Sequence, residues 1–411
     1  MKSKIELLAP AGSYESLMAA IKAGANAVYF GVEQLNMRTK SSNNFTIEDL
    51  FKINEICKSY NVKSYLTLNT VVFDHDINLM KLIVDQVKFH GIDSIIASDH
   101  AVMNYAKKAG VTIHISTQAN ITNIDTIEFY AAYADVMVLA RELSLMQVAA
   151  ITKEIKRRGI LGPSGKLVRV EIFGHGALCM AVSGKCYLSL HSNFSSANRG
   201  ACIQNCRKSY IVIDKEEGTE LEIENEYIMS AKDLCTIDFL DKIIDADVAV
   251  LKIEGRGRSA DYVHTVVQCY REAIDACFKN TYSSDKFEDW KTRLSSVFNR
   301  GFWDGYYLGR TMGEWSSDYG SIATRKKVYV GKGVNYFDNI GVAEFIMEAQ
   351  TLSVGEEVLI TGPTTGVVQT TLNEIRVGHD NKSTVVKGDS FTVRIDEKIR
   401  PSDKIYKLVQ A

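Results

Sequence analysis

Four of the eight cysteines in this 411-residue chain lie close together, at Cys179, Cys186, Cys202 and Cys206. A fifth, Cys235, follows in the run Lys-Asp-Leu-Cys. Such a concentration of thiols is typical of a metal or cluster site, a disulfide set or a catalytic thiol. Because no apolar signal segment is found at the start of the sequence, we expect a cytoplasmic protein, in which disulfides are rare.

The spacing of these cysteines bears on the kind of metal that they could hold. Zinc sites favour Cys-x2-Cys pairs, because two ligands of one small ion must lie close together, and this segment contains no such pair. An iron–sulfur cluster presents separate corner irons and accepts the looser intervals of six, fifteen and three residues found here. The spacing favours a cluster, while zinc, redox or catalytic thiols and inert cysteines stay open.

The elements that must position these cysteines are visible as eight short apolar runs, most of them separated by amphipathic stretches of helical period. The runs are Ile5–Ala9, Ala27–Gly31, Lys63–Leu68, Ser94–Ala97, Thr112–Ser116, Asp135–Leu139, Val168–Phe173 and Val248–Ile253. Eight units of this kind predict an α/β fold, a TIM-like (β/α)8 barrel, with an open doubly wound sheet as the alternative. In such barrels the functional residues lie where the strands end, and polar residues follow nearly every run.

Composition changes near residue 321. We predict a barrel domain over residues 1–320, with a cysteine-rich insertion at 174–235 and a helical connector at its end. Residues 321–411 show alternating apolar runs with turn residues between them and predict a small C-terminal all-β barrel domain.

Charge and hydropathy narrow the classes of partner. The chain carries 48 basic and 50 acidic residues, so its overall charge does not indicate a nucleic-acid partner. A local basic patch would nevertheless be enough to bind one. No apolar run is long enough for a transmembrane helix, so no membrane partner is expected. Two sets of basic or aromatic residues could contact RNA. They are Arg199, Arg207, Lys208 and Tyr210 beside the cysteines, and Lys326, Lys327 and Lys332 near the start of the β region.

One stretch resembles the signature of a known family. The run Glu171–Ser189, which contains Gly-His175-Gly-Ala-Leu-Cys179, is similar to that of the collagenase-like U32 peptidases. The likeness extends to Ser116-Thr-Gln118, to Leu139-Ala-Arg141-Glu142 and to Lys252-Ile-Glu254-Gly-Arg256. The C-terminal β region also resembles that of the family.

The resemblance implies more than one activity. The family's name implies a collagenase-like peptidase, yet several members are oxygen-independent hydroxylases that carry a [4Fe-4S] cluster. The chain looks most like the branch that hydroxylates the wobble uridine of tRNA to 5-hydroxyuridine with prephenate, a dicarboxylate, as cosubstrate. The expected partners are therefore tRNA and this dicarboxylate. A peptidase with zinc, or a non-catalytic cluster-bearing subunit with a protein partner, is the alternative.

The resemblance also implies a set of site residues. The cluster ligands would be Cys179, Cys186, Cys202 and Cys235, with Cys206 as the alternative fourth ligand. The carboxylates of the cosubstrate would be held by arginines at strand ends. We predict substrate binding by Arg141, Arg256, Arg258 and Gln118, with Arg38 a weaker candidate, and catalysis by His175, Glu171 and Glu254. The sequence contains no His-Glu-x-x-His or Gly-x-Ser-x-Gly motif of a peptidase.

Overall fold

The computed structural model describes residues 5–39, 44–211, 213, 215–216, 227–309 and 313–411. The strands of the barrel region are β1 (Glu6–Pro10), β2 (Ala27–Phe30), β3 (Lys63–Leu68), β4 (Ser94–Ala97), β5 (Ile113–Ile115), β6 (Val136–Val138), β7 (Arg169–Ala177), β8 (Asp233–Cys235), β9 (Val250–Ile253) and β10 (Phe302–Trp303). The α-helices are α1 (Tyr14–Lys22), α2 (Asp49–Ser59), α3 (Ile77–His90), α4 (His100–Ala109), α5 (Ile124–Tyr130), α6 (Leu145–Arg158), α7 (Leu188–Asn193), α8 (Leu240–Asp245), α9 (Ala260–Phe278) and α10 (Ser284–Ser295).

Eight of these strands close into a parallel barrel. Strands β1 to β7 pair with their neighbours in chain order, β7 pairs with β9, and β9 pairs with β1. Each barrel strand coincides, within a few residues, with one of the eight predicted apolar runs. The predicted (β/α)8 barrel is therefore confirmed, and the open doubly wound alternative is wrong.

Local sequence explains where several helices begin and end. Ser144 caps α6 in a reciprocal capping box with Gln147, and Ser13 does the same for α1 with Ser16. Gly159 ends α6 in the left-handed conformation, at φ 65°, which a residue without a Cβ atom adopts at little cost. These caps fix the loops at the two ends of the barrel.

Strand β7 continues beyond the barrel wall. Its first residues pair with β6 and β9, whereas His175, Gly176 and Ala177 pair antiparallel with β8. The predicted end of this strand at Phe173 is therefore too early. The cysteine-rich insertion leaves from this extension after Ala177 and returns at Asp233, at the C-terminal mouth of the barrel. Residues 217–226 of the predicted insertion lie outside the described part.

The C-terminal region is antiparallel and all-β, as predicted. Its strands are β11 (Arg325–Phe337), β12 (Val342–Met347), β13 (Thr351–Ser353), β14 (Glu357–Gly362), β15 (Gly366–Thr371), β16 (Arg376–Val377), β17 (Asp380–Asn381), β18 (Thr384–Val386), β19 (Ser390–Arg394) and β20 (Lys404–Gln410). The main sheet has the order β15-β14-β20-β11-β12-β19-β16-β17, and β13 pairs with β18. We refer to residues 325–411 as the β-domain.

The β-domain packs on helices α1 and α9 of the barrel. Ala19 and Ala260 of these helices form an apolar cluster with Leu359 and Val367 of the β-domain. Two ion pairs border it, Lys22 with Glu397 at 2.7 Å and Lys327 with Asp261 at 2.6 Å. This surface lies on the side of the barrel, not at its mouth. Among the described helices, none has both the length and the apolar composition needed to cross a bilayer.

Candidate functional site

Two adjoining cavities lie between the barrel mouth and the cysteine-rich insertion. The outer cavity, of about 130 Å³, is lined mainly by the insertion and by the loop after β9. The inner cavity, of about 120 Å³, has its floor on the barrel strands and their C-terminal loops. The two cavities share one wall, which consists of Arg38, Cys179, Ala181, Cys186, Cys202 and Glu254. A larger groove, of about 1260 Å³, lies between α9, α10 and the β-domain and contains none of the predicted site residues.

The four clustered cysteines all line the outer cavity. Cys179 is exposed and Cys186, Cys202 and Cys206 are partly buried. Burial raises the pKa of the Cys206 thiol, and the three other thiols raise it further because they lie close enough to repel its thiolate. The insertion thus brings residues that are far apart in sequence to one cavity wall.

Cys235 lies elsewhere. It is a buried residue of β8, and its sulfur is 3.9 Å from the hydroxyl of Tyr270 on α9. Burial raises the pKa of its thiol to about 11. The geometry therefore brings Cys206, the alternative fourth ligand, together with the other three cysteines, and it does not bring Cys235. The reason is that Cys235 belongs to strand β8 and its side chain faces helix α9. The sequence around Cys235 did not indicate this orientation.

Glu254 and Arg38 form an ion pair on the shared wall. Arg38 Nη2 donates to Glu254 Oε1 at 2.7 Å, and Tyr29 donates its hydroxyl to Glu254 Oε2 at 3.2 Å. Burial alone would raise the pKa of Glu254, but the guanidinium of Arg38, with smaller effects from Arg141 and Arg256, lowers it to about 2. Glu254 is therefore a fixed negative charge at neutral pH. Arg38, the weaker candidate in the sequence, touches both cavities.

Arg141 and Gln118, both predicted to bind substrate, line the inner cavity. The Arg141 guanidinium stacks 3.9 Å from the centre of the Phe173 ring and donates through Nη1 to the Ala177 carbonyl. The buried Arg141 Nε and Gln118 Oε1 atoms have no hydrogen-bond partner. One buried donor and one buried acceptor are therefore available to a ligand in this cavity.

The two other predicted arginines differ from each other. Arg256 is buried and donates to the side chains of Thr67 and Asn36, and burial lowers its pKa to about 10. It lines the inner cavity and connects the loop after β9 with strand β3 and the loop after β2. Arg258 lines the outer cavity, with its guanidinium 3.4 Å from the centre of the Phe298 ring.

Two of the predicted catalytic residues lie outside both cavities. Glu171 is buried in the barrel interior, where it accepts from Lys252 at 2.9 Å. His175 is buried between Tyr262, Tyr270 and Phe302, and burial lowers its pKa to about 3. Of the three predicted catalytic residues, only Glu254 faces a cavity.

Lys252 is a site residue that sequence reasoning missed. Lys252 lines the inner cavity, and its ammonium group donates to Glu171 and lies 4.6 Å from the centre of the Tyr29 ring. The sequence did indicate that Lys252 lies near Glu254. The two residues are two positions apart at the end of one strand, and residues at this spacing share a face. Arg300, which lines the outer cavity, carried no such signal.

The predicted RNA-contact residues are largely engaged within the protein. Arg199 pairs with Asp76, and Arg207 donates to the carbonyls of Leu178 and Ala231. In the β-domain, Lys327 pairs with Asp261 and Lys332 pairs with Glu348. Tyr210 donates its hydroxyl to the Asn205 carbonyl, while Lys208 is exposed.

Within the described part of the chain, no three His, Cys, Asp or Glu side chains are grouped so as to hold a single metal ion. The four clustered cysteines instead line the outer cavity at separate positions along the insertion. This arrangement differs from a zinc site, in which the ligands meet at one ion. It fits the donor set of a larger group that offers a separate position to each thiolate.

Comparison with known proteins identifies the family. The sequence profile of peptidase family U32 matches residues 12–317, which include the insertion and every barrel strand except β1. The chain belongs to peptidase family U32. The resemblance stated from the signature around Cys179 is thereby confirmed.

Relatives within the U32 family have names of two kinds. A protein named collagenase from Porphyromonas gingivalis strain W83 is 57% identical over 402 residues, covering 98% of this chain and 97% of that protein. A tRNA hydroxylation protein of Bacillus subtilis is 31% identical over 417 residues, covering 98% and 95%. A 23S rRNA 5-hydroxycytidine synthase of Escherichia coli is 30% identical over 318 residues, covering 76% of this chain and 46% of that protein.

Proposed function

We propose that this U32 protein is an iron–sulfur RNA-modifying enzyme. In this proposal it hydroxylates the wobble uridine of tRNA to 5-hydroxyuridine, without molecular oxygen and with prephenate as cosubstrate. The observation that carries the proposal is the arrangement of the two cavities. Four cysteines line the outer cavity, and a cationic inner cavity with unpartnered polar atoms adjoins it.

The thiol arrangement supports a [4Fe-4S] cluster in the outer cavity. A cubane takes one cysteine thiolate at each of four irons, and four cysteines line this cavity. Cys179, Cys186, Cys202 and Cys206 would hold it, and when bound it would supply one-electron redox chemistry. Arg258 and Arg300 line the same cavity and would offset part of the negative charge of four thiolates.

The charges of the inner cavity support an anionic cosubstrate. Among the described residues, no carboxylate forms an ion pair with Arg141 or Arg256, although both line this cavity. Glu254 is the nearby negative charge, but it is paired with Arg38, so a bound carboxylate would supply a counter-charge in direct contact with these guanidinium groups. The free Arg141 Nε atom is a donor suited to it. Prephenate carries two carboxylates, so two such positions are what it would need.

The reaction places further requirements on the site. Hydroxylation replaces the hydrogen on C5 of uridine by a hydroxyl group, so an oxygen donor and an acceptor for two electrons are both needed. We assign these roles to prephenate, which carries an alcohol group and can exchange that hydroxyl for the C5 hydrogen with atoms and electrons in balance. The chain's own residues would orient the reactants: Glu254 holds Arg38 on the shared wall, and Glu171 holds Lys252 on the floor.

RNA as the other substrate is supported by the relatives. Proteins about 30% identical to this chain are named for the hydroxylation of tRNA and of ribosomal RNA. A base that reacts in a cavity must leave its stack, and a wobble base in an anticodon loop is already accessible for this. The unpaired loop would approach from the insertion, the side from which the outer cavity is covered.

A collagenase-like peptidase is the second candidate, because the relative that is 57% identical carries the name collagenase. A peptidase needs an activated nucleophile or a metal-bound water. His175, the histidine of the signature, is buried away from both cavities, and its lowered pKa makes it a weak base. The site geometry therefore supports the hydroxylase more strongly.

The experiment is nucleoside mass spectrometry of tRNA and rRNA from a strain that lacks the gene. We expect loss of 5-hydroxyuridine, restored by the wild-type gene but not by Cys179→Ala. Unchanged hydroxylated nucleosides in every RNA would refute the proposal. Hydrolysis of denatured collagen by the anaerobically purified protein, abolished by Glu254→Gln, would favour the peptidase instead.

A further inference from the structure

The insertion has an unusual charge pattern. No aspartate or glutamate occurs between Glu171 and Asp214, although acidic residues make up about one in eight of the whole chain. The same stretch contains four lysines and arginines. Two of them, Arg199 and Arg207, are engaged within the protein, which leaves Lys185 and Lys208 on the surface. Residues 172–213 therefore carry positive charge without negative charge of their own.

The same insertion exposes two aromatic side chains. Tyr187 precedes α7 and is 74% exposed, and Phe194 follows the helix and is 95% exposed. A phenylalanine with almost its whole side chain in water contributes nothing to the core. Two such rings at the ends of one short helix, in a stretch of the chain that has lysines and no acidic residues, form a surface that is both aromatic and basic.

The backbone of Phe194 adds a second anomaly. It ends α7 with φ 50° and ψ 31°, in the left-handed region. Glycine or asparagine usually occupies this position, because a Cβ atom makes the conformation unfavourable. Its N–H still donates to the Leu190 carbonyl at 3.0 Å, a bond that glycine would keep. Fold stability therefore gives no reason for a phenylalanine here.

Helix α7 is held against the thiols. Leu188, its first residue, lines the outer cavity. Ser189 accepts from the backbone N–H of Ile203 at 3.1 Å, and Ser192 accepts from Asn205, so the helix is pinned to the loop that carries Cys202 and Cys206. At 1.5 Å of rise per residue, Phe194 lies roughly 9 Å along the helix from Leu188. That distance is about two or three stacked bases at 3.4 Å each.

We propose that Phe194 stacks on an RNA base beside the nucleotide that enters the outer cavity, while Lys185 and Lys208 contact neighbouring phosphates. The inference rests on the proposed function and adds the surface that receives the RNA loop. RNA fits better than a protein partner because an exposed aromatic ring and two exposed lysines, in a stretch without carboxylates from residue 172 to residue 213, match stacked bases and a polyanion.

The test is the binding of a fluorescently labelled anticodon stem-loop RNA to the full-length, anaerobically purified protein, followed by anisotropy. Phe194→Gly is expected to weaken binding about 10-fold, in line with the loss of one base–aromatic stack. Its Tm is expected to equal or exceed that of the wild type, since glycine suits the left-handed position. Phe194→Trp should bind as well as the wild type, and Phe89→Ala, which removes an 80% exposed ring from α3, should change nothing.

The outcomes separate this inference from the proposed function. If Phe194→Gly binds RNA as tightly as the wild type, the stacking role is wrong, although the hydroxylase proposal stands. If Phe194→Leu binds as well as Phe194→Trp, the site requires only an apolar contact, as a protein partner would, and the stacking role is again wrong. If the wild type neither binds RNA nor restores 5-hydroxyuridine in the deletion strain, both proposals fail.

The salt dependence of binding provides an independent readout. Lys185→Ala combined with Lys208→Ala should reduce the slope of log Kd against log salt by about 1.4, near 0.7 for each lost phosphate contact on a single strand. An unchanged slope would remove the two lysines from the interface.

Discussion

Arg38 Nη2 donates to Glu254 Oε1 at 2.7 Å, and the two residues together form part of the wall between the cavities. Arg38 follows β2 and Glu254 follows β9, which are the two neighbours of β1 in the barrel. The pair therefore ties two mouth loops together at the point where the thiols meet the cationic inner cavity.

Glu254→Gln should weaken this wall. The amide can still accept a hydrogen bond, but Arg38 loses its counter-charge. We therefore expect the free energy of unfolding to fall by about 2 kcal/mol or less. This value is smaller than that for a fully buried ion pair because the two side chains are partly exposed. Urea unfolding at pH 7 measures it. Glu397→Gln, which removes the exposed partner of Lys22, should change the free energy by less than about 0.5 kcal/mol. Equal effects of the two variants would contradict the assignment.

Gly184 leaves room for the side chain of Gln118 because it has no side chain of its own. A Cβ atom at Gly184 would lie 1.6 Å from Gln118 Oε1, at a φ of 74°. Gly165 has the same φ of 74° with open space around it, so Gly165→Ala measures the backbone strain alone. We expect Gly184→Ala to lose at least 10-fold in RNA hydroxylation while Gly165→Ala keeps it, with both losing about 1 kcal/mol of stability. Full activity in Gly184→Ala would show that Gln118 is not part of the site.

Arg141 and Arg256 should respond differently to the loss of charge. Arg141 has a free donor, so Arg141→Met should raise the KM for prephenate about 10-fold or more, at little cost in stability. Arg256 braces Thr67 and Asn36, so Arg256→Met should lower the free energy of unfolding by roughly 3 kcal/mol. Steady-state kinetics and urea unfolding of both variants check this. The assignment fails if Arg141→Met alters stability but not KM.

Burial of His175 in its neutral form should make the stability of the protein depend on pH. Its pKa is about 3 in the folded protein and near 6.5 when exposed, so the unfolded state takes up a proton first as the pH falls. Stability is therefore full above pH 6.5 and falls between pH 6.5 and 3. From pH 6.5 to 5.5 the wild type should lose about 1 kcal/mol more than His175→Gln. His191→Gln, an exposed histidine, is the control and should lose as much as the wild type.

The sequence was sufficient for the barrel because each strand is a short apolar run buried on both faces. Gln118, Arg141 and Glu254, which the sequence places after strands, line one cavity, since residues after parallel strands meet at one end of the barrel. These predictions depend on local pattern and on the topology of the barrel, and both are encoded along the chain.

Other parts depended on contacts that no local pattern encodes. His175 was expected at an open strand end, but β7 continues and pairs with β8, which buries the ring under Tyr270 and Phe302. Cys235 is close to the other thiols in sequence only, since its strand turns it toward α9. Arg38 was underrated because its partner, Glu254, lies more than 200 residues away in the chain.

The most direct measurement is the iron and sulfide content of anaerobically purified wild type, Cys206→Ala and Cys235→Ala. The account predicts about four irons and four sulfides per chain in the wild type, the composition of a cubane. It also predicts that Cys206→Ala loses the cluster, whereas Cys235→Ala keeps it, because only Cys206 lines the outer cavity. A wild-type protein without iron and sulfide, or a cluster that survives in Cys206→Ala and disappears in Cys235→Ala, would contradict it.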